Sequence, residues 1–104
     1  MKLNGYLHIM KYKEIRYSGH AIQRMFERGI ITDDIERVIH LGNIIAEYHD
    51  DNPYPSYLLL GLIGQNPLHV VAGIDEAKEI CYIITVYQPD PELWDDDFTR
   101  RRKP

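Results

Sequence analysis

The sequence has a single cysteine and lacks any apolar run near the 18 residues or so that a membrane-spanning helix requires. The lone Cys81 cannot form an intrachain disulfide, and its position in the run ICYIITVY predicts a small buried side chain. The first residues also lack the apolar segment of a signal peptide. We therefore expect a cytoplasmic protein that makes no membrane contact and needs no disulfide.

The motifs of several large enzyme classes are also missing. The sequence contains no glycine-rich phosphate loop, no G-x-S-x-G nucleophile turn and no HxxH or CxxC pair. His49, Asp50 and Asp51 carry potential metal ligands, but adjacent side chains of an extended strand point in opposite directions. We expect neither a metal site nor a cofactor.

Positive charge is scarce overall but is concentrated at the two chain ends. The net charge is −4, yet residues 1–31 hold six basic and two acidic side chains, and residues 100–103 hold four basic ones. Residues 32–99 hold two basic and fourteen acidic side chains. This segregation either creates a local positive field for an anionic partner or serves solubility alone.

The composition is that of a globular protein. Apolar residues make up 44% of the chain and charged residues 27%, close to the averages for soluble domains. We expect one domain over residues 1–104, with its core at about 14–90 and a tail at 91–104. In the tail, Trp94 and Phe98 are expected to pack back onto the domain, because exposing their apolar area is costly.

Two short helices are predicted near the start of this core. Ser18 is a suitable N-cap and Gly29 a suitable C-terminal stop for the first helix, and Thr32 and Gly42 play the same roles for the second. The apolar positions expected to face the core are Ala21, Ile22, Met25 and Phe26 in the first helix and Ile35, Val38 and Ile39 in the second.

After Gly42 the pattern changes from helical to extended. Residues 44–49, 57–63, 68–75 and 79–88 are rich in β-branched and aromatic side chains and are separated by turn-forming sequences. Their short connections predict an antiparallel meander. The fold class is therefore α+β in the order ααββββ, with two helices packed on one face of a four-stranded antiparallel sheet and a short extended segment around 14–17.

The register of the last hairpin brings polar groups together. If Ile74 opposes Ile80, then His69 opposes Thr85 and lies diagonal to Tyr87 on the same sheet face. This register assembles an imidazole, a hydroxyl and a phenol.

A second polar set follows the first predicted helix at four-residue steps: His20, Arg24 and Arg28. His20 lies in the first turn, where the helix dipole favours a neutral imidazole that can act as a base. If this helix crosses the sheet near its edge, Arg24 and Arg28 point toward His69. The alternatives are an exposed His20 and a satisfied, partly buried His69.

Four segments, SGHAIQRMFERGIITDDIERVI, GNIIAEYHDDNPYPSYLLLG, NPLHVVAGID and YIITVYQPDPELWDDDFTRRRK, resemble a bacterial domain-of-unknown-function family, number 4258. The resemblance runs from about Tyr17 to Lys103. This family is similar to small toxin-type domains often encoded beside a YgiT-type zinc-finger partner, and it has been grouped with barnase, colicin and RelE-like ribonucleases. The resemblance implies a helix-plus-antiparallel-sheet domain that cleaves RNA.

The family's patterns fall on defined positions of this sequence. SxHAxxRMxERGI falls on residues 18–30, PLHVV on 67–71 and ITVY on 84–87. The site that the resemblance implies consists of His20, Arg24, Arg28, His69 and Tyr87.

The leading hypothesis is a metal-independent endoribonuclease, the toxin of a toxin–antitoxin pair, in which a ribose 2′-hydroxyl attacks the adjacent phosphate. In this hypothesis the two histidines serve as base and acid, in an order left open, the two helix arginines clamp the phosphate, and the phenol stacks or donates a proton. Further RNA contacts are assigned to Thr85, Tyr57, Arg100 and Arg101.

The alternative is a non-catalytic interaction domain that binds protein or nucleic acid. In this case Arg24 and Arg28 contribute affinity and salt dependence, and His69 has no chemical role. The expected partners are RNA and a zinc-finger antitoxin.

Overall fold

The computed structural model describes residues 12–103, which form an α+β fold of two helices and a five-stranded sheet. In chain order the elements are β1 (Glu14–Tyr17), α1 (Gly19–Arg28), α2 (Thr32–Leu41), β2 (Asn43–Tyr48), β3 (Ser56–Ile63), β4 (Asn66–Asp75) and β5 (Ile80–Tyr87). Part of the predicted basic N-terminal stretch lies outside the described residues.

The sheet has the strand order β1-β5-β4-β3-β2. The predicted antiparallel meander is confirmed for β2 to β5, but β1 adds a fifth strand that pairs with β5 in parallel, so the sheet is mixed. A parallel neighbour needs a long crossover, and the whole chain from α1 to β4 supplies it. Four residues are too few for a clear alternation, so the sequence indicated only an extended segment here.

The helix ends follow the capping signals, with one correction. The Ser18 hydroxyl accepts a hydrogen bond from the Ala21 amide at 3.0 Å, and Gly29 ends α1 in the left-handed conformation at φ 66°. The prediction of Thr32 as the second N-cap is wrong, since Thr32 is already helical. Here the Asp34 carboxylate accepts from the amide of Ile31, which precedes the helix.

The core lies between the two helices and one face of the sheet. Helix α1 packs on β5, and α2 packs on β3 and β4. Two residues predicted to face the core are exposed, Ile22 at 56% and Phe26 at 90%. Helix α1 lies over β5, which is next to the edge strand of the sheet. Ala21 and Met25 make its contact with the core, and the side of the helix that carries Ile22 and Phe26 extends beyond the sheet into solvent.

The register of β4 and β5 differs from the predicted one. Ile74 opposes Cys81 rather than Ile80, so Cys81 and Ile83 face the core. Cys81 is fully buried, as its apolar run predicted, and burial raises the pKa of its thiol to about 12. The run ICYII is apolar at every position, so period-two alternation did not specify which set faces inward.

A bulge between β4 and β5 brings His69 and Tyr87 together, as expected. The register shifts between Val71 and Ala72, which kinks the ladder and changes its parity. Beyond the bulge Thr85 opposes Val71, and His69 pairs directly with Tyr87 rather than diagonally. The imidazole and phenol therefore meet by a different register from the predicted one.

The face of the sheet away from the helices is flanked by two segments. The loop of residues 49–55 joins β2 to β3 and reaches Gly73 and Tyr82. The tail after β5 reaches His69 at the other end of the same face, where Trp94 is buried as predicted. Among residues 12–103, no helix is both long and apolar enough to span a membrane.

The contact between α2 and β3 gives a stability prediction. A Cβ atom at Gly61 would lie 2.7 Å from Val38 Cγ2, so Gly61→Ala is expected to lower the free energy of unfolding by about 1–3 kcal/mol through overpacking. Urea denaturation measures the change. The matched control is Gly19→Ala, where an added Cβ meets no atom within 4 Å and helix propensity favours alanine. Equal stability of Gly61→Ala and the wild type would contradict this packing.

Candidate functional site

His69 is buried on the face of the sheet away from the helices. Its neighbours Leu68 and Val70 belong to the core under α1 and α2, and successive side chains of a strand point to opposite faces. The His69 side chain has no solvent exposure, because the Trp94 ring lies edge-on against it with 4.5 Å between centroids. The tail therefore seals this histidine against the sheet.

Both ring nitrogens of His69 have partners. Nε2 lies 2.9 Å from the carbonyl oxygen of Phe98, and Nδ1 lies 3.2 Å from the hydroxyl of Tyr87. A carbonyl oxygen can only accept, so in the neutral ring Nε2 carries the hydrogen and Nδ1 accepts from the Tyr87 hydroxyl. The geometry thus selects one tautomer and aims the phenol proton at the imidazole.

Burial determines the protonation of this pair. Desolvation lowers the pKa of His69, although the hydrogen bond to the Phe98 carbonyl opposes the shift. Burial also raises the pKa of Tyr87, as does nearby Tyr48, while the charge of Arg101 lowers it. At neutral pH the pair therefore holds a neutral imidazole and a protonated phenol.

Arg101 supplies positive charge beside this pair. Its guanidinium carbon lies 5.6 Å from the centre of the Trp94 ring, and residues 94 and 101 form an antiparallel backbone bridge. The Arg101 side chain is exposed, whereas Tyr87 is half-buried. We refer to His69, Tyr87, Trp94 and Arg101 as the His69 cluster.

The His69 cluster has the groups of a proton-transfer site. A hydroxyl bonded to a base that is itself oriented by a third group is the arrangement of an activated nucleophile or proton relay. Tyr87 is the member that a ligand reaches, His69 is the proton acceptor behind it, and the Phe98 carbonyl orients the ring. Arg101 adds a cation suited to a phosphate or carboxylate.

The polar set of α1, which consists of His20, Arg24 and Arg28, lies on the helix side of the sheet. His20 and Arg28 are exposed, and Arg24 makes an ion pair with Glu27 at 3.5 Å. Because α1 covers the core face of the sheet and His69 is on the opposite face, the structure does not bring these guanidinium groups over His69. The expected convergence of the helix arginines and the imidazole is therefore not found.

Arg28 lies at the end of the sheet where β4 begins and β5 ends. It lines a cavity of about 90 Å³ at the end of the sheet, together with Pro67 and Gln88. Gln88 follows Tyr87 in the chain, and Pro67 is two residues before His69. Arg28 thus borders the same end of the sheet from the helix side.

The predicted RNA contacts are dispersed. Tyr57 is buried in the core with its ring edge-on to His49, so it offers no open stacking surface. Thr85 is half-buried beside the bulge, and Arg100 is exposed next to Arg101 in the tail. Of the four, Arg101 is the one that joins the His69 cluster.

Sequence reasoning missed the Phe98 carbonyl and Tyr48 and gave Trp94 only a packing role. These groups reach the site from β2 and from a tail without regular structure, so no periodicity could place them. The sequence held one weak signal. A tryptophan in an irregular tail favours packing of that tail on the domain, which brings the neighbouring arginines to the same surface.

Metal ligation finds no support in the described part of the chain. No group of three or more histidine, cysteine, aspartate or glutamate side chains between residues 12 and 103 is arranged to hold a metal ion.

Comparison with protein families gives one match. The model of a family described as "Domain of unknown function (DUF4258)" matches residues 17–88, from the end of β1 to the residue after β5. The match includes His69 and Tyr87 but not the tail that supplies Trp94 and Arg101. No curated protein and no solved structure matches the chain.

The buried imidazole makes stability depend on pH. Because the pKa of His69 is lower in the folded protein than its unfolded value of about 6.5, the unfolded chain binds more protons below that pH. The contribution of neutral His69 to the free energy of unfolding is therefore complete above about pH 6.5 and is lost as the pH falls through the lower pKa of the folded protein. His69→Gln, whose amide can still donate to the Phe98 carbonyl, is expected to flatten this dependence between pH 5 and 6.5, by at most about 1.4 kcal/mol per pH unit.

Urea denaturation across this range measures the effect. His20→Gln removes an exposed histidine from α1 and is the matched control. Parallel pH profiles for His69→Gln and the wild type would show that His69 is not the buried neutral group described above.

Proposed function

The chain belongs to the DUF4258 family, and we propose that it is a metal-independent endoribonuclease whose reacting groups are Tyr87, His69 and Arg101. One observation carries the proposal, the hydrogen-bonded chain from the Tyr87 hydroxyl through His69 to the Phe98 carbonyl, beside an exposed cation. The likeness to RelE and barnase-like toxins, the zinc-finger antitoxin partner and the cytoplasmic location belong to the same proposal.

The proposed reaction is attack of a ribose 2′-hydroxyl on the adjacent phosphate. The 2′ oxygen forms a bond to phosphorus and the bond to the 5′ oxygen breaks, leaving a 2′,3′-cyclic phosphate and a 5′-hydroxyl. The 2′ proton passes to the Tyr87 oxygen as the Tyr87 proton passes to His69 Nδ1, and the leaving oxygen takes a proton from water. The hydroxide formed then takes a proton from Tyr87 as His69 returns its proton to the Tyr87 oxygen, so both side chains regain their starting states. Every step uses side chains and water alone.

Tyr87 is the catalytic residue in this scheme, and His69 acts through it. A phenol with a raised pKa stays protonated at neutral pH, so it relays a proton rather than acting as a phenolate. Because His69 is sealed from solvent, substrate meets the phenol first. Arg101 stabilises the negative charge that develops on the phosphoryl oxygens, which is the role first assigned to Arg24 and Arg28.

A second function, the non-catalytic interaction domain, is favoured by a different observation. Ile22 and Phe26 are largely exposed on α1, one helical turn apart on the same side of the helix. Adjacent exposed apolar side chains are typical of a surface that binds another protein. This function uses the helix layer and does not require the His69 cluster.

Cleavage of mixed RNA in the presence of chelator tests the proposed enzyme. Tyr87→Phe removes the relayed proton and is expected to reduce the cleavage rate by at least about 100-fold, the usual scale of proton-transfer catalysis. Arg101→Gln is expected to slow cleavage and weaken its dependence on salt. Arg24→Gln makes the same chemical change in the other layer and is expected to keep the wild-type rate.

The outcomes separate the two functions. Circular dichroism confirms that each variant is folded, and the cyclic phosphate ends identify the reaction. RNA binding without cleavage by the wild type favours the interaction domain. Cleavage that survives Tyr87→Phe but is lost in Arg24→Gln would overturn the assignment of the site to the face of the sheet away from the helices.

A further inference from the structure

The sheet face that holds the His69 cluster continues along β4 to a second cavity. Gly73 lies four residues after His69 on the same face, a distance of about 13 Å along an extended strand. There the loop of residues 49–55 closes over Gly73, Tyr82 and Ile84 to form a cavity of about 210 Å³. The His69 cluster and this cavity therefore lie on one surface.

Two stacked aromatic rings line the cavity. The rings of Tyr54 and Tyr82 are parallel within 3°, with their centroids 5.2 Å apart. An offset parallel pair at this distance is a favourable arrangement, and it extends a flat aromatic surface from β5 into the loop. A planar ligand can continue such a stack.

The remaining lining also suits a flat ring. Gly73 has no side chain, so none projects from this position of β4 into the cavity. Pro53 and Ile84 add apolar surface. The Asp51 carboxylate accepts a hydrogen bond from the Ser56 hydroxyl and is thus satisfied within the chain. The volume is below the range of about 300–1,000 Å³ typical of sites for drug-sized ligands, which favours a single ring system.

The guanidinium group of Arg16 lies beside the stacked tyrosine rings. The guanidinium carbon of Arg16 lies 6.0 Å from the centre of the Tyr82 ring. Arg16 also makes an ion pair with Glu14 at 2.6 Å, and both side chains are about half exposed. An exposed pair of this kind contributes little net stability, so a phosphate can compete for the guanidinium.

We infer that the cavity under the loop of residues 49–55 binds a base of single-stranded RNA by stacking on Tyr54 and Tyr82. The inference rests on the proposed function for the position of the strand, whose reacting phosphate lies at Tyr87. Arg16 and Arg101 then stand near the two ends of one strand-binding surface, and the stacked base holds the RNA in place. Stacking on aromatic side chains is tolerant of sequence because every base has a flat face.

Binding of a fluorescently labelled hexa-adenylate to the Tyr87→Phe protein tests the cavity without cleavage, with anisotropy as the readout. Tyr54→Leu in this background is expected to weaken binding about tenfold, within the range for loss of one base–aromatic stack. Tyr54→Phe keeps the ring and is expected to keep the affinity. Tyr12→Leu is the matched control, since Tyr12 contacts His40 of α2 in the helix layer.

Competition identifies the recognised part of the ligand. Adenosine monophosphate is expected to displace the hexa-adenylate at lower concentration than ribose 5-phosphate does. Equal competition by the two would mean that phosphate alone is recognised and would overturn the inference, as would equal affinities of Tyr54→Leu and Tyr54→Phe.

The failure of this inference is distinguishable from that of the proposed function. If the wild type cleaves RNA and Tyr54→Leu leaves KM unchanged, the base site is wrong and the ribonuclease stands. If the wild type cleaves nothing while the Tyr54 variants follow the expected order, the base site stands and the ribonuclease is wrong.

Discussion

The imidazole of His69 joins the tail to the sheet, and the candidate site depends on that contact. A buried imidazole without partners would cost about 1–3 kcal/mol for each unsatisfied group. Here one nitrogen donates to the Phe98 carbonyl and the other accepts from Tyr87, so the ring is satisfied only when the tail is in place. The same tail segment brings Trp94 over the ring and Arg101 beside it. One residue thereby couples closure of the tail to assembly of the site.

The sheet divides the molecule into two layers with different surfaces. The helix layer covers the core and exposes the apolar side chains of Ile22 and Phe26. The opposite face carries the His69 cluster at one end and the Tyr54–Tyr82 stack at the other. The proposed RNA cleavage and RNA contacts use the face that carries His69. A partner protein that binds the helices would leave this face open.

How far the sequence predicted the structure varied with the range of the interaction. The caps at Ser18 and Gly29 involve neighbours in the chain, and both were predicted correctly. The register of β4 and β5 was predicted wrongly, because five consecutive apolar residues in β5 gave no alternation and a bulge cannot be read from composition. His69 and Tyr87 were nevertheless predicted as neighbours, since both candidate registers place them within reach.

The sequence by itself determined the two helices and the antiparallel meander, because helical periodicity and turn residues are local properties. It also predicted that His69 and Tyr87 lie within reach of each other, and they do so by a different register. Only the tertiary structure decided which arginine stands beside that pair. Arg24 and Arg28 lie on a helix whose apolar side was clear, but the sheet face on which it packs is a property of the whole chain. Arg101 reaches the site from a tail with no periodic pattern, held by a backbone carbonyl that any residue could have supplied.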